Sequence, residues 1–275
     1  MKCWLQVAIV IVALFTSFST SLLAQTTASD EMNLGAQAYR QGKFEGAIQH
    51  FARCVALAPD NTTAHLYLAT AYAQQYIPGV DAPENQRMGE QAIDQYQHVL
   101  DASPVPSARI DSTKGIAYLY LQMKKFDDSK KYYRKAMDLD PNDPENYFSI
   151  GVIDWTQTYE PRQEERNKLG MEPEDSLPAK DKGLCAEMKQ RNSANVQEGI
   201  DNLNKAIQLR PDYDDAMAYM NLMYRERADI QCDDPAARER DLNTADDWID
   251  RTMAIKKAKA KKAEPGSEPA PADPQ

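Results

Sequence analysis

The chain has 275 residues, 42% of them hydrophobic, and a formal net charge of −10. So acidic a balance excludes nucleic acid as a natural partner, because phosphate recognition demands clustered Lys and Arg. The length allows one extended array or one to two globular domains.

The first predicted element is a leader over residues 1–24. Lys2 supplies a positive start, Val7 to Leu14 form an apolar run, and Ser21-Leu22-Leu23-Ala24 ends on a small residue. This is the pattern of a cleaved secretory signal peptide. The apolar run is short of the about 20 residues that a spanning helix needs. The expected location is therefore periplasmic or secreted. An uncleaved leader acting as a membrane anchor is the alternative, and only then is membrane contact expected.

From residue 28 onward one spacing recurs. A small residue is followed four later by a bulky apolar one, three later by another, and five later by proline. It reads Ala47-Phe51-Cys54-Pro59, Ala92-Tyr96-Val99-Pro104, Ser129-Tyr133-Ala136-Pro141 and Gly199-Leu203-Ala206-Pro211. Steps of four and three put these side chains on one helix face, and the proline ends the helix. Each block is preceded by a second pattern, a large apolar residue beside a small one: Leu34-Gly35, Leu68-Ala69, Ile116-Ala117 and Ile150-Gly151, with Met220-Asn221 last. Such pairs let two antiparallel helices approach closely. Gly35 to Ala47 and Ala117 to Ser129 are each twelve positions apart, whereas Ala69–Ala92, Gly151–Gly199 and Asn221–Ala245 are longer. The added segments fall at the turn inside a helix pair.

These residues resemble the tetratricopeptide repeat, a unit of about 34 residues. The match covers most of 28–263, in units of about 28–61, 62–106, 110–143, 144–213 and 214–263, with insertions in the second, fourth and fifth. The resemblance implies an all-α, right-handed superhelical solenoid of about five antiparallel helix pairs. It also implies a concave groove, lined by the first helices, that holds a protein or peptide without cofactor or catalysis. In such an array the inserted turns share one edge, which is either a binding rim or a set of tolerated surface loops. Within the insertions, 76–83 is a turn-rich loop, Gln163 to Lys168 is helical and stopped by Gly170, and one long helix runs from about Asp181 to Leu209. Asp234-Pro235 caps the helix that follows.

Carried onto this sequence, the family's groove positions give Tyr39, Leu66, Thr70, Tyr118, Leu121, Phe148, Trp155 and Arg225 as candidate partner contacts. The Lys/Asn/Arg set with which some members grip a terminal carboxylate is missing from these positions. Phe148 and Trp155 adjoin the longest insertion, and there the alternative is that inserted segments fold over them and make them core. The corresponding second reading of function is a binding module whose insertions close over the groove around a small molecule or peptide.

Cys54 takes a helix-packing slot and is expected to be a buried small residue. Cys185 and Cys232 both sit in insertions of adjacent units, and an oxidising compartment makes a disulfide between them the expectation. No catalytic or metal-ligand spacing is present: His50, His65 and His98 are scattered, and the calcium-like run at Asp138 to Glu145 lacks the required glycine and terminal glutamate. No enzyme activity, metal or cofactor is expected. Lys256, Lys257, Lys259, Lys261 and Lys262 crowd the end of the last helix, either complementing its dipole or offering an anionic partner a patch. Residues 264–275, rich in Pro and Glu, form a tail unable to bury a core.

Overall fold

The computed structural model describes residues 26–172 and 175–263; the expected leader and tail lie outside them. Among the described residues there are eleven helices and no strand. They are α1 (Ala28–Arg40), α2 (Phe44–Leu57), α3 (Thr62–Gln75), α4 (Pro83–Ala102), α5 (Pro106–Gln122), α6 (Phe126–Leu139), α7 (Pro144–Lys168), α8 (Leu177–Lys180), α9 (Lys182–Leu209), α10 (Asp214–Asp229) and α11 (Pro235–Ala263). Apart from the one-turn α8, they pack as five antiparallel pairs: α1–α2, α3–α4, α5–α6, α7–α9 and α10–α11. The chain is an all-α solenoid.

Local signals set the helix ends. Thr27 and Asp30 form a reciprocal capping box on α1. The side chains of Asn61, Asp143 and Asp181 accept from the free amides that open α3, α7 and α9. Asp234 does the same for Ala237 in α11. Proline occupies the first turn of α4, α5 and α7, where its missing N–H is not needed.

The repeated small residues are the notches through which the pairs close. Ala47, Ala92 and Ser129 are wholly buried. A methyl added at Gly35 would sit 2.5 Å from the Phe51 ring, and one at Gly151 would sit 2.6 Å from Leu203. In both pairs the notch on the first helix receives the bulky residue of the second. Ser129 adds a hydrogen bond, its hydroxyl donating to the Ala117 carbonyl at 2.7 Å. Leu34 is an exception, 40% exposed where Leu68, Ile116, Ile150 and Met220 are buried.

Consecutive first helices also touch one another directly, α1 with α3, α3 with α5 and α7 with α10. The 76–82 segment is pinned by Asn85, whose amide accepts from the Ile77 amide and donates to the carbonyls of Ile77 and Val80.

In the fourth pair the expected helix over Gln163 to Lys168 is the last part of α7, which runs unbroken from Pro144 to Lys168 with Pro161 in its interior. An interior proline costs a hydrogen bond and favours a kink. Here the extension past it is tied down by two arginines described below. Gly170, at φ +60°, then takes the left-handed conformation that turns the chain out of the helix. The α9 helix begins at Lys182, one residue from expectation. At the far end Lys259 bonds Asp214 at 2.5 Å, joining the end of α11 to the start of α10. No helix among the described residues is long and apolar enough to cross a membrane.

Candidate functional site

The candidate contacts fall into three groups. Tyr39, Leu66 and Leu121 are half-buried against the local cores of their own helix pairs, Tyr39 with its ring edge 5.2 Å from Phe44. Phe148 packs between Tyr213 and Tyr219, with ring centroids 5.0 and 5.5 Å away. Both rings belong to the start of α10, and Phe148 packs against the apolar cluster that also holds Met171 and Leu177 of the segment linking α7 to α9.

Thr70 on α3 and Tyr118 on α5 line one pocket of about 230 Å³. Its wall includes Tyr96 of α4, whose hydroxyl lies 3.3 Å from that of Thr70. The Thr70 hydroxyl also bonds back to the Leu66 carbonyl at 2.8 Å, which fixes its rotamer. Gly115 lets the Tyr96 ring pack closely against α5: a methyl there would meet it at 2.6 Å. Tyr118 is 53% exposed, a large ring held on a helix with no cover.

Trp155 and Arg225 meet at a second place, a cleft of about 450 Å³ between the α7 extension, α10 and the start of α11. The Trp155 ring stacks on Tyr159 at 4.6 Å and meets Tyr219 edge-on at 5.4 Å. Arg225 is exposed and bonds Asn221 at 2.9 Å and Asp246 at 2.7 Å. Beneath them lies a cluster of charges with little access to water. The Arg162 guanidinium grips both oxygens of Glu226 at 2.8 Å and reaches Asp229 at 2.8 Å. Arg166 joins from the next turn, at 3.3 Å from Asp229, and donates to the carbonyls of Glu172 and Asp175. Burial pushes the Glu226 carboxyl up in spite of the opposing pull of Arg162. Burial works against the charge of Arg162 as well, but Glu226 and Asp229 outweigh it and raise its pKa. Cys185 and Cys232 form a disulfide beside this cluster, with Cα atoms 5.7 Å apart, fastening the start of α9 to the α10–α11 link.

Two donors in the cleft wall have no acceptor among the described residues: the indole Nε1 of Trp155 and the Nε of Arg238. Repeat positions do not single out Arg162, Arg166, Glu226, Asp229 or Arg238. A signal existed, since Arg162/Arg166 and Glu226/Asp229 are spaced four and three apart, each pair on one helix face. That they face each other depends on how far α7 continues past Pro161.

A second buried network joins α6 to α7 and α9. Lys130 bonds Asp154 at 2.5 Å and Glu198 at 2.8 Å, and Arg134 also pairs with Glu198. Asp154 is fully buried with one oxygen unpartnered, and burial holds its carboxyl up at about 7. Among the described residues no group of three or more His, Cys, Asp or Glu could hold a metal ion.

Two segments match models of the tetratricopeptide repeat, residues 32–61 and 115–143. No curated protein matches the sequence. Among solved structures, the fold is similar to that of MamA (13% identity, 86% of this chain and 96% of that one, TM-score 0.55). MamA of Desulfovibrio magneticus RS-1 aligns at 13% identity over 84% of this chain and 96% of its own, with a TM-score of 0.55. YrrB, described as a TPR protein with an unusual peptide-binding site, aligns at 15% identity over 85% and 92%, with a TM-score of 0.50. Identities this low speak to the fold alone. The chain thus carries tetratricopeptide repeats at 32–61 and 115–143 and has the fold of a tetratricopeptide-repeat solenoid.

Proposed function

We propose that this protein is an exported, non-enzymatic scaffold that holds a protein or peptide partner on the inner face of its helical array. One observation carries the reading. Thr70 and Tyr118, from consecutive first helices, wall a single open pocket in which an exposed tyrosine stands ready to anchor an apolar side chain. Tetratricopeptide repeats support protein or peptide binding as the general role, and YrrB is a peptide-binding example of the fold. Export is supported by the leader pattern at 1–24 and by the Cys185–Cys232 disulfide, which persists in an oxidising compartment.

The test is to crosslink the tagged protein in its native cell and identify what copurifies from the exported fraction. Replacing Tyr118 by Ala is expected to weaken capture about tenfold with the helical circular dichroism unchanged. Capture that is indifferent to this change, and to Tyr39→Ala beside it, removes the inner face from the reading. Mass analysis of the exported chain beginning after Ala24 would support cleavage; a chain beginning at Met1 would favour the anchored form. The cleft near Trp155 favours a second reading, a pocket for a small molecule.

A further inference from the structure

We propose that the cleft between the α7 extension, α10 and α11 is a binding site for a small organic carboxylate with a flat apolar body. It lies apart from the Thr70–Tyr118 pocket and does not depend on that pocket's role. Part of its wall, Trp155, Leu222, Arg225 and Glu226, stands at ordinary repeat positions, and the rest comes from added segments: Tyr159, Arg162, Met171 and Asp175 precede Gly199, and Arg238 and Leu242 precede Ala245. Two costly devices hold those segments in place. One is the disulfide between Cys185 and Cys232; the other is the Arg162–Glu226–Asp229–Arg166 cluster, whose desolvation a hydrophobic core would have avoided. Together they keep a cleft of about 450 Å³ from collapsing, within the range of small-ligand sites.

The chemistry of the wall selects the ligand. Arg162 is used by Glu226 and Asp229, Arg166 bonds Asp229 and two carbonyls, and Arg225 bonds Asn221 and Asp246. Arg238 alone among these cleft arginines has a side chain with no hydrogen bond or ion pair among the described residues. Its Nε is buried in the cleft wall without an acceptor, which an incoming anion would supply. The second unsatisfied wall group, the Trp155 Nε1–H, is also a donor and calls for an acceptor. One cation and one N–H match a single carboxylate, whose two oxygens take one donor each. Trp155, Tyr159, Leu222 and Leu242 then offer aromatic and aliphatic surface to the rest of the molecule. The same chemistry would accept a free aryl or alkyl acid, or the carboxyl terminus of a chain ending in an aromatic residue.

The experiment titrates the full chain, by calorimetry at neutral pH, with phenylacetate, phenylacetamide, acetyl-Gly-Phe and acetyl-Gly-Phe-amide. At least one acid is expected to bind with a Kd of about 1 mM or tighter. Its amide, and Arg238→Gln with the acid, are each expected to be weaker by about tenfold. Arg238→Lys is expected to recover part of the loss. The indole N–H resonance of Trp155, assigned with Trp155→Phe, is expected to move downfield on saturation, which a merely structural role for Arg238 would not produce. Binding of phenylacetate supports a free acid as the source; binding of acetyl-Gly-Phe alone supports a chain terminus. The proposal is overturned if neither acid binds, if the amides bind equally, or if Arg238→Gln leaves affinity unchanged while circular dichroism shows the fold intact. None of these failures touches the reading of Tyr118.

Discussion

In α1–α6 the helix pairs close chiefly on small residues, Gly35 beneath Phe51, Ala69 beside Tyr96 and Ala117 beside Tyr133, with one buried acid, Glu31, bonded across α1–α2 to His50 and Arg53. In α7–α11 the same notch recurs, with Gly151 beneath Leu203, but long helices, buried charges and a disulfide are added. The buried cluster around α9 and α10 has twelve members, whereas the one joining α2 and α3 has four. The contrast shows what a solenoid needs to depart from its repeat. A plain pair is stabilised by its neighbours on either side. A pair carrying extra turns exposes helix beyond those neighbours and must be secured by contacts of its own. Arg162 and Arg166, both beyond Pro161, provide them by reaching α10.

If that is so, Glu226→Ala should be the most damaging single change, since it removes two of the three carboxylate bonds of Arg162 and leaves Asp229 to offset two arginines in a site with little water. A loss of about 3–5 kcal/mol is expected in chemical denaturation. Glu84→Ala breaks an exposed pair with Arg87 in the other half and is expected to stay within about 0.5 kcal/mol. Equal losses would erase the distinction between the halves. Removing the disulfide by the paired change Cys185→Ser, Cys232→Ser comes next. It opens a span of 47 residues and is expected to cost about 3–4 kcal/mol in the chain-entropy view. Hydrogen exchange is expected to quicken in α9–α11 and stay unchanged in α1–α4, because a linear array opens locally. Uniform loss of protection would mean that the halves unfold as one.

Smaller effects sharpen what the halves share. Gly35→Ala and Gly151→Ala each place a methyl inside contact distance of a buried side chain. A loss of about 1–3 kcal/mol is expected for each, partly offset by the better helix propensity of alanine. Should only one of the two prove costly, the shared notch would not be the closing principle of both halves.

The shared notch was also what could be read from the sequence. Four blocks with common internal distances mark second helices, and the small residue in each first helix marks its partner. The position of the added segments at the turn inside a pair follows from counting between those residues. The helix over Gln163 to Lys168 is legible too, but its continuity with the first helix of the pair across Pro161 is not. Pro161 argues locally for a break, and tertiary contacts from Arg162 and Arg166 overrule it. The cleft depends on that continuation, so its walls could not be assembled from periodicity. Trp155 and Arg225 were singled out from repeat positions, yet their neighbour Arg238 belongs to a helix whose register no repeat fixes. The pairing of Cys185 with Cys232 was legible because both fall beside long helices of adjacent pairs.

Acidity separates the two halves with opposite sign. Glu31, in α1, is held down to about 2 by its hydrogen bond to His50, against the cost of burial and with further help from Arg53. An acid whose folded value lies below its ordinary 4.5 contributes fully above that value and loses its contribution as pH falls toward 2. Asp154, at the junction of α6, α7 and α9, is the reverse: burial holds it at about 7, above the ordinary 3.8. The folded state then takes up the proton first, so this group's contribution declines as pH rises from about 4 through 7. Asp154→Asn keeps the shape and leaves Lys130 its bond to Glu198. It is expected to flatten the fall in stability between pH 5 and 7.5, read by urea denaturation across that range, with the acid limb governed by Glu31 unaltered. A slope that survives the substitution would show that the Asp154 carboxyl stays ionised throughout. In that case Lys130, 2.5 Å away, offsets the desolvation of both charges, and the junction is held by a full ion pair.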